Sequence, residues 1–188
     1  MSAASVPVST SGGSPRSHEV FSDGGLDCPD DVCFGAGLPT EAEYEMRCAA
    51  AAYDREAVAE RHLRHAFFLA PEHPATHIGL YRFFFYRNRL ADGLATGFIC
   101  LELAARLNDL PHDWRTVGPH HAEFGGYSAL PRFYLFTLKA CAYLHLRLGD
   151  LAAGSELLGK LAELDPADRI GGSVLREVLA RLGEDDDE

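Results

Sequence analysis

The chain has 188 residues, of which 47% are hydrophobic and 24% are charged, a composition typical of one globular domain. Its net charge of −11 disfavours a nucleic-acid-binding protein, which needs a basic face to meet phosphates. No apolar run approaches the length of a membrane-spanning helix, so no membrane partner is expected. The acidic excess lies at the two ends, because residues 39–183 carry 18 acidic and 16 basic side chains.

The N-terminal region, residues 1–38, is rich in Ser, Gly, Pro and Asp without periodicity, which predicts a disordered acidic tail. It contains Cys28 and Cys33, two of five cysteines. An odd number of cysteines, three of them within apolar helical patterns, indicates reduced thiols rather than a disulfide framework. Since the first residues lack the apolar core of a secretory signal, a cytoplasmic location is expected. Arg outnumbers Lys by 15 to 2, a bias typical of GC-rich bacterial genomes.

Three consecutive helix pairs are predicted within residues 39–183. Apolar residues follow helical periodicity in both members of each pair, and a polar turn separates the members. The pairs span residues 40–71, 74–106 and 132–166. A further amphipathic helix over residues 173–182 is expected to cap the stack. The final acidic run, residues 184–188, predicts a solvated tail.

Small residues recur at matching positions in these pairs, where paired helices must approach closely. The second pair follows the first at an offset of 34 residues, and prolines close the first and third pairs. The small and closing residues are Ala59, Ala66, Pro71, Gly93, Cys100, Gly154 and Pro166. In this pattern the chain resembles tetratricopeptide (TPR) repeats. The resemblance implies an all-α fold, a TPR-like α-α superhelix of three helix pairs plus a C-terminal capping helix.

The TPR resemblance also implies a concave groove, lined by the first helix of each pair, that holds a partner protein. Carried over by position, the partner-binding residues are Tyr44, Arg82, Phe85, Tyr86, Lys139, Tyr143 and Arg147. Helical spacing independently supports the residues from the second and third pairs, since each group lies on one face of its helix. The same spacing adds Arg89 to the face that carries Arg82. Such a groove would be aromatic and mildly basic, and would suit an acidic segment of a partner. Alternatively, the aromatic run 81–86 is core, with Phe83 and Phe84 packed inside.

One long segment, residues 108–131, interrupts the repeat. It contains Trp114, the single tryptophan, together with His112, His120 and His121. A loop of this length within a compact domain is often functional, which makes Trp114 a candidate partner-binding residue. The alternative is a packed connector between the second and third pairs, anchored by Trp114.

Catalytic motifs are absent from the sequence: it has no Gly-rich phosphate loop, no G-x-S-x-G and no H-E-x-x-H. We therefore expect no enzymatic activity and no cofactor. The favoured function is a protein-binding adaptor or assembly factor. Small bacterial TPR-like proteins of this build are similar to accessory factors of metalloenzymes such as nitrogenase. The alternative is a metal- or redox-handling protein that uses Cys28 and Cys33 with the loop histidines.

Overall fold

The computed structural model describes residues 37–185, with side chains as far as Arg181. Within this range the chain forms seven α-helices and no strand. The helices are α1 (Thr40–Ala51), α2 (Glu56–Leu69), α3 (Pro74–Tyr86), α4 (Leu90–Leu107), α5 (Ala129–Arg147), α6 (Leu151–Leu164) and α7 (Ser173–Asp185). A single 3-10 turn, Trp114–Thr116, interrupts the connection between α4 and α5. The predicted all-α class is confirmed for this part of the chain.

Helices α3, α4 and α5 end in the same way, in a Schellman motif. Asn88, Asp109 and Gly149 follow these helices with φ values of 56°, 52° and 84°. In each motif a backbone N–H donates to the carbonyl five residues earlier, as Arg89 does to Phe84 at 2.9 Å. This arrangement satisfies carbonyls that the helix end would leave unpaired, and it reverses the chain sharply.

Helices that are neighbours in the sequence pack as pairs: α1 on α2, α3 on α4, and α5 on α6. Helices α4 and α5 also pack extensively on each other, whereas α2 meets α3, and α6 meets α7, over smaller surfaces. Small residues allow close approach within the third pair, because a Cβ on Gly154 would lie 2.5 Å from the Leu146 side chain. Glycine also allows close approach between α4 and α5, because a Cβ on Gly97 would lie 3.1 Å from Sγ of Cys141.

Most of the aromatic run on α3 is buried in two adjoining hydrophobic clusters. Phe83 and Phe84 belong to the smaller cluster, among α1–α3, as predicted for core residues. Tyr81 lies fully buried in the larger cluster, which extends from α3 to α7. Leu175 and Val178 of α7 are buried as well, so α7 covers an apolar surface at the end of the stack.

Two helix boundaries differ from the sequence prediction. Helix α5 begins at Ala129, inside the predicted loop 108–131, and Pro131 occupies its first turn. Proline is tolerated there because N–H groups in the first turn have no partner within the helix. Helix α7 continues to Asp185, into the predicted acidic tail. Residues 1–36 and 186–188, which include most of the predicted N-terminal tail, lie outside the described residues.

In the part of the chain that is described, none of the helices has the length and apolar character needed to cross a bilayer.

Candidate functional site

A surface cavity of about 230 Å³ lies between α1 and α3, and we call it the α1–α3 groove. At Gly79 the absence of a side chain leaves room for Met46 of α1, because a Cβ there would stand 3.2 Å from the end of the Met46 side chain. The wall is mainly apolar and includes two predicted partner-binding residues, Arg82 and Tyr86. The full lining comprises Met46, Ala49, Ala50, Tyr53, Leu63, Gly79, Arg82, Phe83 and Tyr86.

Two exposed tyrosines line this groove, because Tyr86 is 61% exposed and Tyr53 is 47% exposed. The predicted residue Tyr44 is also exposed on α1, but it is not among the residues that line the groove. The guanidinium of Arg87 lies 4.6 Å from the ring centre of Tyr53 and donates to the Tyr53 carbonyl. Hydrogen bonding to the neighbouring thiol of Cys48 raises the pKa of Tyr44, so its hydroxyl is neutral at ordinary pH. The rim therefore combines aromatic surface with positive charge.

A second group of predicted residues joins α3 to α5 beside Tyr86. Phe85 packs against Tyr86 and Tyr143, with ring centres 5.4 and 5.6 Å away. The guanidinium of Arg147 donates to the Tyr143 hydroxyl at 2.7 Å and to the Asn88 side chain at 3.1 Å. Tyr143 is only 1% exposed, so its predicted partner-facing position is wrong, because Phe85 and neighbouring helices cover it. It supports Arg147 instead.

The predicted helical face that ended with Arg89 is also wrong. Because α3 ends at Tyr86, Arg89 follows a chain reversal and points to α2. There its guanidinium binds Glu60 at 2.5 Å, Asp92 at 2.8 Å, and lies over the Phe84 ring. The hydrogen bond from Arg89 lowers the pKa of the Glu60 carboxyl group. Arg89 is therefore a structural ion-pair residue that joins α2 to the start of α4.

Lys139 belongs to a different part of the surface. Its ammonium group donates to the carbonyl of Ile170 at 2.8 Å, which ties α5 to the segment that precedes α7. The structure thus brings Arg82, Phe85, Tyr86 and Arg147 together along α3 and α5 and leaves Lys139 at the far end.

The long connection between α4 and α5 packs on the larger hydrophobic cluster and is hydrogen-bonded to α6, in line with the connector interpretation. Trp114 is partly buried against the larger cluster, and the guanidinium of Arg115 lies 4.3 Å from its ring centre. Arg115 also donates twice to the carboxylate of Glu156 on α6, at 2.6 and 3.0 Å. Lys160 of α6 donates to the carbonyl of Val117 at 2.9 Å. The segment from Trp114 to Val117 is therefore held against α6.

The loop histidines do not converge. His112 lies 3.2 Å from Glu102, whereas the rings of His120 and His121 lie side by side, with centres 4.1 Å apart. Across residues 37–185, no three His, Cys, Asp or Glu side chains are grouped so as to hold a metal ion. Cys28 and Cys33 lie outside the described residues, so their metal or redox role stays a prediction. No disulfide joins the described cysteines, Cys48, Cys100 and Cys141.

Comparison with known proteins identifies a relative. No family model and no solved structure matches this chain. A protein of Azotobacter chroococcum mcd 1, the "Uncharacterized 19.8 kDa protein in nifW 5'region", is 38% identical over 129 residues. The matched part is 66% of this chain and 71% of the relative. The chain belongs to the family of this nifW-region protein. The relative's name states a gene neighbourhood and no activity.

Two features of this nifW-region family member were missed by sequence reasoning. Tyr53 and Arg87 meet at the groove mouth, each in the turn between the two helices of its pair. They are 34 residues apart, which is the repeat offset, so equivalent turns of consecutive pairs are in contact. The Glu45 carboxylate of α1 bridges two histidines of α2, His62 at 2.5 Å and His65 at 3.1 Å. The hydrogen bond with His62 lowers the pKa of Glu45. The one-turn spacing of the histidines was the available signal.

Proposed function

We propose that this chain is a cytoplasmic, non-catalytic adaptor or accessory factor that holds a partner protein in a TPR-like solenoid. Sequence-adjacent helix pairs, small residues at close crossings and a covering final helix support the solenoid. The odd number of cysteines and the absence of a disulfide among the three described ones support a reducing compartment.

The observation that carries the proposal is the α1–α3 groove with its exposed tyrosines. Tyrosine side chains present large apolar area with a hydrogen-bonding end, and they are enriched with arginine at binding hot spots. Tyr86 is 61% exposed and borders the apolar lining of the groove, so its ring is available to a partner. Arg82 in the wall and Arg147 beyond Phe85 give the surface positive charge. We therefore propose a partner segment that inserts an apolar side chain and places acidic residues beside it.

The gene neighbourhood of the relative, next to nifW, suggests the pathway. We propose that the partner is a protein of nitrogen fixation, with nitrogenase or one of its assembly components as the first candidates. The support is the 38% identity to a protein named for its nifW-region gene.

Affinity purification from a nitrogen-fixing host tests this proposal. The bait is the full chain, compared with Tyr86→Ala and with Phe68→Ala as the matched control. Phe68 is another strongly exposed aromatic, but it borders a separate cavity between α2 and α4. A protein retained by the wild type and the control, and depleted by Tyr86→Ala, is then purified for titration.

The titration decides the outcome. A hot-spot tyrosine is worth about 2 kcal/mol, so Tyr86→Ala is expected to weaken binding by roughly 30-fold. Arg82→Gln should weaken it less and reduce its dependence on salt. Equal affinities of the Tyr86→Ala and Phe68→Ala variants would refute the groove as the binding surface.

A further inference from the structure

An acidic segment with interspersed apolar residues precedes α1, and we call residues 19–34 the acidic segment. It lies outside the described residues, and its sequence holds five acidic side chains and neither Lys nor Arg. Asp30 and Asp31 are followed directly by Val32, and Phe34 comes two residues later. The acidic segment therefore has the chemistry that we propose for the partner of the α1–α3 groove, an apolar side chain beside acidic residues.

The α1–α3 groove suits this segment in shape and in charge. Its accessible wall is almost entirely apolar, and Arg82 is the single charged residue among those that line it. Its volume of about 230 Å³ is sufficient for a phenyl ring, because a cavity of about 150 Å³ in another protein binds benzene. The hydrogen bonds of Arg147 go to neutral groups, the Tyr143 hydroxyl and the Asn88 side chain, so they leave its positive charge uncompensated.

The acidic segment is attached close enough to reach the groove of its own chain. Helix α1 forms one wall, and Ala50 in that wall lies about 15 Å along the helix axis from Thr40. Phe34 precedes Thr40 by six residues, which in an extended chain span up to about 20 Å. Phe34 can therefore reach the groove, and the chain that continues to Asp30 and Asp31 has additional length to reach the arginines.

The other acidic run of the chain, residues 184–188, is a poorer candidate for the same place. It consists of acidic residues alone and offers no apolar side chain to an apolar wall. It also follows α7, which packs on α6 at the other end of the stack from α1.

We propose that the acidic segment occupies the α1–α3 groove of its own chain and competes there with the partner. This autoinhibition rests on the proposed function, because it assigns the partner to the same groove. A short tether gives an effective concentration on the order of millimolar, so even weak recognition fills the groove within one chain. The apparent affinity for a segment from another molecule then falls in proportion to the fraction of open grooves.

Two matched variants of the full chain test the contact. Each replaces three aspartates by asparagine and so removes the same charge. The segment variant is Asp27→Asn/Asp30→Asn/Asp31→Asn, and the C-terminal control is Asp185→Asn/Asp186→Asn/Asp187→Asn.

Two-dimensional amide NMR compares both variants with the wild type, without any partner. The segment variant should shift the amide signals of residues 46–53 and 79–87, which include both walls of the groove. The C-terminal control should leave these signals unchanged. Signals of Phe68 and Ile99, which line the cavity between α2 and α4, should stay in place in both variants.

A fluorescein-labelled peptide of residues 19–36 is the second probe, titrated into each full-chain protein and followed by anisotropy. It should bind the segment variant about 3- to 10-fold more tightly than the wild type, as expected if roughly a third to a tenth of wild-type grooves are open. The C-terminal control should match the wild type. Adding Tyr86→Ala to the segment variant should remove the gain.

Unchanged groove signals in the segment variant, or equal peptide affinity for the segment variant and the wild type, overturns the inference. Groove signals that move in the C-terminal control overturn the choice of segment. Differences that grow with protein concentration would place the segment in a second copy and overturn the contact within one chain. Because neither readout uses a partner, these failures leave the purification test of the proposed function intact. Conversely, a partner that is insensitive to Tyr86→Ala refutes only the shared use of the groove.

Discussion

Alanine at Gly154 should destabilise the protein relative to the same change at Gly159, although both glycines lie on α6. Gly154 is buried where α6 crosses α5, and a Cβ there would lie 2.5 Å from Cδ2 and 2.9 Å from Cγ of Leu146. Overpacking of this kind costs about 1–3 kcal/mol. A Cβ on Gly159 meets nothing within 4 Å.

Helix propensity acts equally at both sites and favours alanine by about 1 kcal/mol. Gly159→Ala should therefore raise the free energy of unfolding by that amount. At Gly154 the gain opposes the steric cost, so the net change is a loss of about 0–2 kcal/mol. The difference between the two variants is then about 1–3 kcal/mol, or several degrees in Tm.

Urea denaturation of both variants measures the difference, provided that the m-values agree. A Leu146→Ala background supplies the mechanistic control, because it removes the atoms that the new Cβ would meet. In that background Gly154→Ala should become neutral or stabilising. If Gly154→Ala is as stable as Gly159→Ala in the wild-type background, the close approach of α5 and α6 is not what requires glycine.

Three further predictions concern titration, ion pairing and the loop. Burial lowers the pKa of His77, so near pH 6.5 the unfolded chain binds a proton at this residue more tightly than the folded chain does. The free energy of unfolding should therefore fall as the pH drops below that value. In urea titrations at several pH values, His77→Gln should make this decline shallower. A double-mutant cycle of Arg89→Ala and Glu60→Ala should give a coupling of about 1 kcal/mol, and additive losses would contradict a direct pair. This coupling should fade as acid protonates Glu60 below its already lowered pKa. Arg115→Ala should speed amide hydrogen exchange in residues 113–125, and unchanged exchange would show that the loop is held by other contacts.

The helix pairs were predictable because the signals are local. Apolar periodicity marked each helix, and small residues such as Gly154 marked a close crossing that the structure contains. The predicted helix boundaries differ from the observed ones at residues that are compatible with more than one local structure. Pro131 was taken to end a loop, but proline also fits the first turn of a helix, as in α5.

The candidate site was less predictable. Helical spacing gives the direction in which a side chain leaves the helix axis, but neither its burial nor the residue at which the helix ends. Arg89 was three residues beyond Tyr86 on an ideal helix, but the reversal at Asn88 sends it to α2. Tyr143 shares a helical face with Arg147, yet it is covered by Phe85 from α3. The position of a neighbouring helix is a tertiary property that spacing within one helix does not contain.

The unequal packing between helix pairs divides the molecule into units of different cooperativity. The contact between α2 and α3 is smaller than that between α4 and α5, and the two hydrophobic clusters adjoin at α3. In a nearest-neighbour description of a stacked protein, the weakest coupling is where one end detaches first. The contact of α7 with α6 is smaller still, but of the two junctions between helix pairs the first is the weaker, so the first pair is the one that opens before the other two. Because the α1–α3 groove spans that junction, a ligand seated there would also act as a clamp and raise the cooperativity of the whole stack.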